Sequence, residues 1–244
     1  MKIFKTFISL LFLVLLTHSV HSQIIVSLIF GESLNRPNMQ FGLEVGANSS
    51  TVSNYDIADF AAGFEIGMFL NWKYADRWAL YSGLMANSNR GFRGEEVLVD
   101  PIYRPGTETG YAFKYMKTRL VYVGAHSAMR YYFSPSFSIA GGLNLSLRLK
   151  ATNEALYSKD KADLNVVYSV KEEFFPIDAG PTLTFLYQFR KGKGMSIIAR
   201  GYYGLIDVAE EVPGYQSSYF FQLTAGILIG AKKGREMAEK LNPE

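Results

Sequence analysis

The sequence contains no cysteine and only three histidines in 244 residues. Without cysteine there can be no disulfides, no thiolate metal ligands and no lipid-modified N-terminal cysteine. Two of the histidines lie within the first 22 residues, so a chain processed after Ser22 would keep His126 alone. Zinc sites and most acid–base dyads need a second histidine, a cysteine or a carboxylate nearby. The composition therefore predicts no cofactor and no metal site.

Long apolar runs and a strong charge of one sign are also missing. Beyond residue 30 no apolar run reaches the roughly 20 residues that a membrane-spanning helix requires. Lysine and arginine number 25 against 22 acidic residues, and they are not clustered as nucleic-acid binding requires. No glycine-rich phosphate-binding motif is present. The chain is therefore predicted to have no nucleic-acid partner.

The first 22 residues have the pattern of a secretory signal peptide. Two lysines precede an apolar run from Phe7 to Leu16, and small and polar residues continue to Ser22. An apolar run of about ten residues suits an export signal and is too short for an uncleaved membrane anchor. We therefore expect cleavage after Ser22, followed by a lead segment of unassigned conformation over residues 23–38.

The chain is rich in a two-residue alternation of apolar and small or polar side chains. In "FSIAGGLNLSLRL" (137–149) the two sets lie on opposite faces, because successive side chains of a strand point to opposite sides. Similar runs bring the count to about eight, at 39–48, 64–73, 78–88, 115–133, 177–189, 195–206 and 221–230. They reach the roughly 9–11 residues of a tilted membrane-spanning strand, whereas strands of soluble proteins average about five or six.

Short and long connections alternate between these runs. The short ones lie at 75–77, 134–136 and 190–194, and the long polar ones at about 49–60, 89–112, 150–172 and 207–217. This wiring is typical of outer-membrane barrels, whose short turns face the periplasm. Aromatic side chains crowd the short turns, which predicts a girdle at the lipid–water boundary. The predicted periplasmic girdle consists of Trp72, Tyr74, Trp78, Tyr131, Phe133, Phe137, Tyr187 and Phe189.

The face that carries glycine, serine, threonine and charges is assigned to the barrel interior, and the leucine face to lipid. A soluble ligand-binding barrel is the alternative, but it would bury the leucines and leave the export signal and the aromatic turns unexplained. Side chains fill the interior of a barrel of about eight strands. Buried charges need opposite partners or trapped water, so we expect a plugged polar lumen. The predicted lumen charge cluster consists of Glu44, Glu65, Asp178, Arg130, Arg148 and Arg200.

Three segments carry a resemblance to a known family: "LVYVGAHSAMRYYF" (120–133), "FSIAGGLNLSL" (137–147) and "ARGYYGLIDV" (199–208). They are similar to recurring strands of the PorT-like, porin-family outer-membrane barrels of Bacteroidota, which are small OmpA-like barrels. The resemblance implies an all-β, eight-stranded antiparallel up-and-down transmembrane barrel in the cell outer membrane. It covers the predicted barrel over 39–232, after which a polar tail follows over 233–244. The family does not imply one shared activity.

For function, we expect a non-enzymatic barrel that reinforces the envelope or binds a partner through its loops or its periplasmic face. The predicted partners are outer-membrane lipid and other envelope proteins. A small porin-like channel is the alternative, although water-filled porins use roughly 16–18 strands. A lipid-modifying enzyme is a more remote alternative.

Catalysis and cation binding have little support in the sequence. His126 is followed by Ser127, whose side chain points to the opposite face of a strand, so the two cannot form a dyad. The acidic residues of the 89–112 connection lie among arginines, which is typical of a solvated loop of mixed charge rather than of a cation site. These residues are Glu95, Glu96 and Asp100, with Arg90, Arg93 and Arg104.

Overall fold

The computed structural model describes residues 38–229, except for 55–57, 96–98, 107–108, 161 and 210–213. The predicted signal peptide, nearly all of the lead segment and the polar tail lie outside these residues. Within the described ranges, no helix has the length and apolar character needed to cross a membrane.

The structure is a closed antiparallel β-barrel. Its strands are β1 (Met39–Val52), β2 (Asp59–Lys73), β3 (Trp78–Gly94), β4 (Ala112–Tyr132), β5 (Phe137–Lys159), β6 (Ala162–Ser169), β7 (Ile177–Gln188), β8 (Ser196–Asp207) and β9 (Ser217–Leu228). Successive strands pair from β1 to β6 and from β7 to β9, and β1 pairs with β9 to close the sheet. β5 pairs with β7 along its first half and with β6 along its second half. In the part of the chain that the structure describes, nine strands thus occupy eight positions, and the predicted up-and-down barrel is confirmed.

Tight turns join the strands at one end of the barrel, which we call the short-turn end. They lie between β2 and β3, between β4 and β5, and between β7 and β8, where Phe189–Gly192 forms a four-residue turn whose inner residues do not have right-handed helical angles. In that turn Arg190 and Lys191 have positive φ angles of 53°. The three short connections predicted from sequence lie at these turns.

At the opposite, long-loop end the strands continue much further than the sequence predicts. The predicted long connection at 150–172 is largely strand, and β3 continues to Gly94 into the one predicted at 89–112; short 3-10 turns lie at Pro101–Tyr103 and Lys171–Glu173. The alternation fails here for two reasons. The register shifts at irregularities in the β3–β4 and β4–β5 pairs, and the outer face no longer carries only apolar residues.

Two apolar layers cross the interior. The lower apolar layer, nearer the short turns, consists of Phe69, Tyr81, Ala128, Ala140, Leu186 and Ile198. The upper apolar layer closes the long-loop end and includes Val52, Phe92, Val99, Met116, Leu120, Tyr157, Tyr168, Phe174 and Val208. Polar and charged side chains occupy the space between them. The outer face of the barrel exposes leucines such as Leu143 and Leu145, which are 66% and 56% exposed.

Candidate functional site

The first charged pair in the interior joins β1 to β8. Arg200 Nη2 lies 3.3 Å from Glu44 Oε2, and both side chains are buried. Arg200 also donates to Thr184 Oγ1 and Gln222 Oε1, each at 3.3 Å, while the hydroxyl of Tyr81 donates to Glu44. Because both charges are paired and hydrogen-bonded, the pair can persist away from water.

The second pair joins β3 to β7. Arg90 Nη1 lies 3.3 Å from Asp178 Oδ2, and the carboxylate accepts further hydrogen bonds of 2.6 Å from Tyr202 and Ser218. The guanidinium of Arg90 is stacked 4.2 Å from the centre of the Phe220 ring. Both ions are therefore paired and hydrogen-bonded, and the contacts connect β3, β7, β8 and β9 across the lumen.

Glu65 lies between the two pairs without a salt bridge of its own. Its Oε2 accepts from Ser88 at 3.2 Å and from Asn48 at 3.5 Å, whereas Oε1 has no protein partner among the described residues. Ser88 in turn accepts from Arg90 Nε at 3.1 Å, which links Glu65 to the second pair through one hydroxyl. The carboxyl is thus part of the network but not neutralised by direct contact.

The two remaining arginines of the predicted cluster are buried but are not ion-paired with its carboxylates. Arg130 donates to Asn71 at 3.2 Å and to Ser138 at 2.9 Å, and stacks 4.5 Å from the Tyr132 ring. Arg148 donates to backbone carbonyls at the start of the β7 segment, including those of Lys171 at 2.8 Å and Phe174. Of the six predicted residues, the structure therefore brings Glu44 and Arg200 into direct contact.

Arg90 is the residue that sequence reasoning missed. The sequence predicts a solvated loop at this position, but Arg90 lies inside β3 and is 4% exposed. The cause is a bulge between Met85 and Ser88, after which even-numbered rather than odd-numbered residues face inward. The inward position of Arg90 follows only if β3 is extended to residue 94 and the inward-facing positions change from odd to even within it. The alternation of apolar and polar residues does not mark where that change occurs.

His126 faces the interior beside the first pair. Its Nε2 lies 3.2 Å from Arg200 Nη2, and a Cβ on Gly83 of the neighbouring strand would lie 2.3 Å from the imidazole ring. Glycine at this position therefore makes room for the ring. Arginine can only donate, so Nε2 is the acceptor, as in a structural hydrogen bond. Ser127 faces outward and pairs with the Ser82 hydroxyl at 3.1 Å, so it does not contact His126.

The predicted aromatic girdle residues lie around the short-turn end. Trp78 contacts Tyr131, and Tyr131 contacts Phe133, with ring centres 4.9 and 5.2 Å apart. A second group joins Phe137, Tyr187 and Phe189 at 4.8 and 5.0 Å. The last two members, Trp72 and Tyr74, are 48% and 50% exposed.

A polar vestibule of about 560 Å³ opens at the same end and stops below the lower apolar layer. Its lining includes Lys73, Arg77, Lys191 and Lys193 against one acidic residue, Asp76. The vestibule is therefore cationic. It is separated from the charged pairs by the packed side chains of the lower layer.

The β5–β6 hairpin rises at the long-loop end. Lys114 Nζ of β4 lies 3.1 Å from Asp163 Oδ1 of β6, and both side chains are about half exposed. The hydrogen bond from Lys114, together with one from Ser158 and the lysine charge, holds the pKa of Asp163 below its usual value. Exposed pairs of this kind contribute little to stability.

A closed antiparallel barrel with leucines outside and a polar interior is the architecture of transmembrane proteins of the outer membrane. The model of the outer membrane protein beta-barrel domain matches residues 32–210, and the chain belongs to this family. Membership implies a location in the outer membrane. In this class the short-turn end faces the periplasm and the long-loop end faces the outside of the cell.

Solved structures with a similar fold come from several bacteria. Ail, the attachment invasion locus protein of Yersinia pestis, has a TM-score of 0.40 and 13% identity, over 78% of this chain and 98% of Ail. Neisserial surface protein A has a TM-score of 0.41 and 14% identity, over 77% and 96%. OprG of Pseudomonas aeruginosa has a TM-score of 0.34 and 11% identity, over 80% and 96%. No curated protein matches the chain in sequence.

Proposed function

We propose that the protein is a closed, non-enzymatic barrel that binds a partner outside the cell through the extracellular extension of β3 to β6. The observation that carries this proposal is the filled lumen. Two apolar layers and the Glu44–Arg200 and Arg90–Asp178 pairs occupy its cross-section. A path for water or solutes would have to displace paired charges and packed rings together.

The length of the strands supports the extracellular part of the proposal. β4 and β5 contain 21 and 23 residues, about twice the 9–11 that a bilayer requires. The extension also exposes apolar side chains that the lipid cannot cover, among them Ile102 at 80% and Val167 at 55%. An exposed apolar surface beyond the reach of lipid suits the binding of a protein partner.

The surroundings of His126 favour a role without catalysis. A hydrolase or acyltransferase needs a nucleophile within hydrogen-bonding distance of its base. Here the Nε2 atom of His126 contacts Arg200, and the nearest serine in sequence, Ser127, lies on the outer face. The chain's membership in the PorT-like group of Bacteroidota and the cleavage of a signal peptide after Ser22 are part of the same proposal.

Planar-bilayer recording tests the closed lumen. We expect no large, stable conductance from the purified wild-type protein. A double variant, Glu44→Ala with Arg200→Ala, serves as the opened comparison, because it removes the two side chains that span the lumen between β1 and β8. A large, stable conductance from the wild type would overturn the proposal and favour the channel alternative.

Site-specific photo-crosslinking on intact cells tests the binding surface. A photoreactive amino acid at Val167 places the probe on the exposed hairpin, and one at Phe133 places it in the periplasmic girdle as a matched exposed control. We expect a defined protein adduct from position 167. Adducts from position 133 only would move the partner to the periplasmic face.

A further inference from the structure

The barrel wall has an interruption near its extracellular rim. β2 and β3 pair at Phe60–Phe92 and again at Glu65–Ser88. The residues between these two pairs are not paired across the two strands. From the lumen, Ser50 bonds to both the N–H and the carbonyl of Gly91, at 2.8 and 2.9 Å. The inner side of the interruption is thus sealed by a side chain of β1.

On the outer side the interruption leaves a groove of about 270 Å³. Its lining includes Phe64, Asn89, Lys117 and Arg119. Lys117 reaches across β3 and donates to the backbone carbonyl of Ala62 at 2.8 Å. The groove therefore has a cationic upper wall and an exposed phenylalanine on its β2 side.

The cations at this groove exceed the carboxylates that contact them. Arg93, beside the groove on β3, is opposite Lys117 of β4, which is unfavourable for like charges, and opposite Asp59 of β2, while Lys117 is also opposite Glu154 of β5. Arg119 follows two residues after Lys117 on the same face and is 3.5 Å from Glu154. Among the described residues, three cations therefore face two carboxylates, Asp59 and Glu154, and the excess of one positive charge is what an anion would neutralise.

The groove lies at the level of the outer lipid head groups. Twelve residues of β4 separate Arg119 from Tyr131 of the girdle. A strand that rises about 3.4 Å per residue and is tilted by about 40° gains about 31 Å over that distance. The apolar band of such barrels is about 25 Å tall, so Arg119 is just above its outer edge. Phe64 is eight residues from Trp72 on β2 and remains within the band.

We propose that this groove binds the head group of a phosphorylated glycolipid of the outer leaflet. Arg119 in the lining and Arg93 beside it carry guanidinium groups, whose planar, bidentate geometry matches phosphate oxygens. The Asn89 amide and the Glu154 carboxylate can form hydrogen bonds with sugar hydroxyls. A simple phospholipid head group has fewer hydroxyls to form such bonds. An acyl chain would descend along Phe64 and the leucine face.

Lipid binding to the purified full-length protein in detergent, followed by native mass spectrometry, tests the chemistry. Four probes are compared: diphosphorylated lipid A, its dephosphorylated form, phosphatidylglycerol and inorganic phosphate. A bond between a charged donor and phosphate changes affinity by about tenfold or more. We therefore expect dephosphorylated lipid A to bind at least tenfold more weakly, phosphatidylglycerol to bind more weakly than lipid A, and inorganic phosphate not to displace the lipid.

A pair of charge variants tests the location. Arg93→Gln with Arg119→Gln should weaken binding of diphosphorylated lipid A by about tenfold or more. Lys114→Gln with Lys159→Gln removes the same charge from the hairpin region and should leave it within about twofold. Heat-modifiable gel mobility checks folding, and the lipid comparison on the wild type decides the matter if a variant does not fold. Equal binding of phosphatidylglycerol, or equal losses in both variants, would overturn the proposal.

Discussion

Removal of the charge on Asp178 offers the sharpest test of the interior network. The exchange Asp178→Asn keeps the shape and one acceptor oxygen for the hydroxyls of Tyr202 and Ser218. It leaves the buried guanidinium of Arg90 without its counter-ion. Loss of one partner of a buried pair typically destabilises by about 3–5 kcal/mol, because the remaining charge is unpaired in a poorly polarisable environment.

A second exchange identifies the cause of that loss. In Arg90→Met with Asp178→Asn the unpaired charge is gone, so part of the stability should return, and we expect a coupling energy of about 2–3 kcal/mol. The recovery remains partial because Arg90 also bonds Ser88 and Ser146. Strict additivity of the two single exchanges would show that the pair does not act as a unit.

Reversible unfolding in lipid vesicles with increasing denaturant measures these differences. The chain contains two tryptophans, Trp72 and Trp78, both at the short-turn end, and their fluorescence reports loss of the barrel from the membrane. Asp163→Asn is the matched control, since it makes the same exchange in an exposed pair with Lys114. It should change the free energy of unfolding far less. A loss below about 1 kcal/mol for Asp178→Asn would refute the reasoning.

Three other experiments examine different parts of the molecule. Leu143→Arg should destabilise the barrel by about 2–4 kcal/mol and Leu149→Arg, near the outer boundary, by about 0–1 kcal/mol; equal effects in vesicle unfolding would contradict the assigned depth. Arg148→Ala frees the carbonyls before β7 and should accelerate hydrogen exchange there, while leaving export unchanged; unaltered exchange would count against those bonds. The pKa of Asp163 is lower in the folded protein than in the unfolded chain. Its contribution to folding stability is therefore present at pH values above the unfolded-state pKa and is lost as the pH falls through the folded-state pKa. Carboxyl NMR should detect that pKa below the usual value and a rise in Lys114→Gln.

The sequence was sufficient for the barrel because the bilayer imposes a simple pattern. Lipid favours apolar residues at every second position of a spanning strand, and Leu143, Leu145 and Leu147 follow that pattern without interruption. Outside the bilayer the rule no longer applies. β6 (Ala162–Ser169) alternates weakly and was predicted as part of a loop, although it forms a complete ladder with β5.

The interior was less predictable than the wall. Inward orientation follows from parity, and all six residues of the predicted cluster are buried. The pairing of the charges depends on the stagger between strands that are distant in sequence, such as β1 and β8. The alternation of residues along one strand contains no information about that stagger. The bulge in β3 added a second obstacle, since it moved Arg90 from the predicted surface to the interior.

The enclosure of the charged pairs between two apolar layers has a consequence for the behaviour of the protein in salt. Ions screen charges that they can approach, over about 8 Å at physiological ionic strength, and they screen buried pairs much less. The Glu44–Arg200 and Arg90–Asp178 contacts are out of reach of dissolved ions, whereas Lys114–Asp163 on the hairpin is in contact with them. In a bacterium that moves between fresh and saline water, the charged pairs that span the barrel would therefore keep their strength. The attraction between Lys114 of β4 and Asp163 of β6 would weaken as the salt concentration rises.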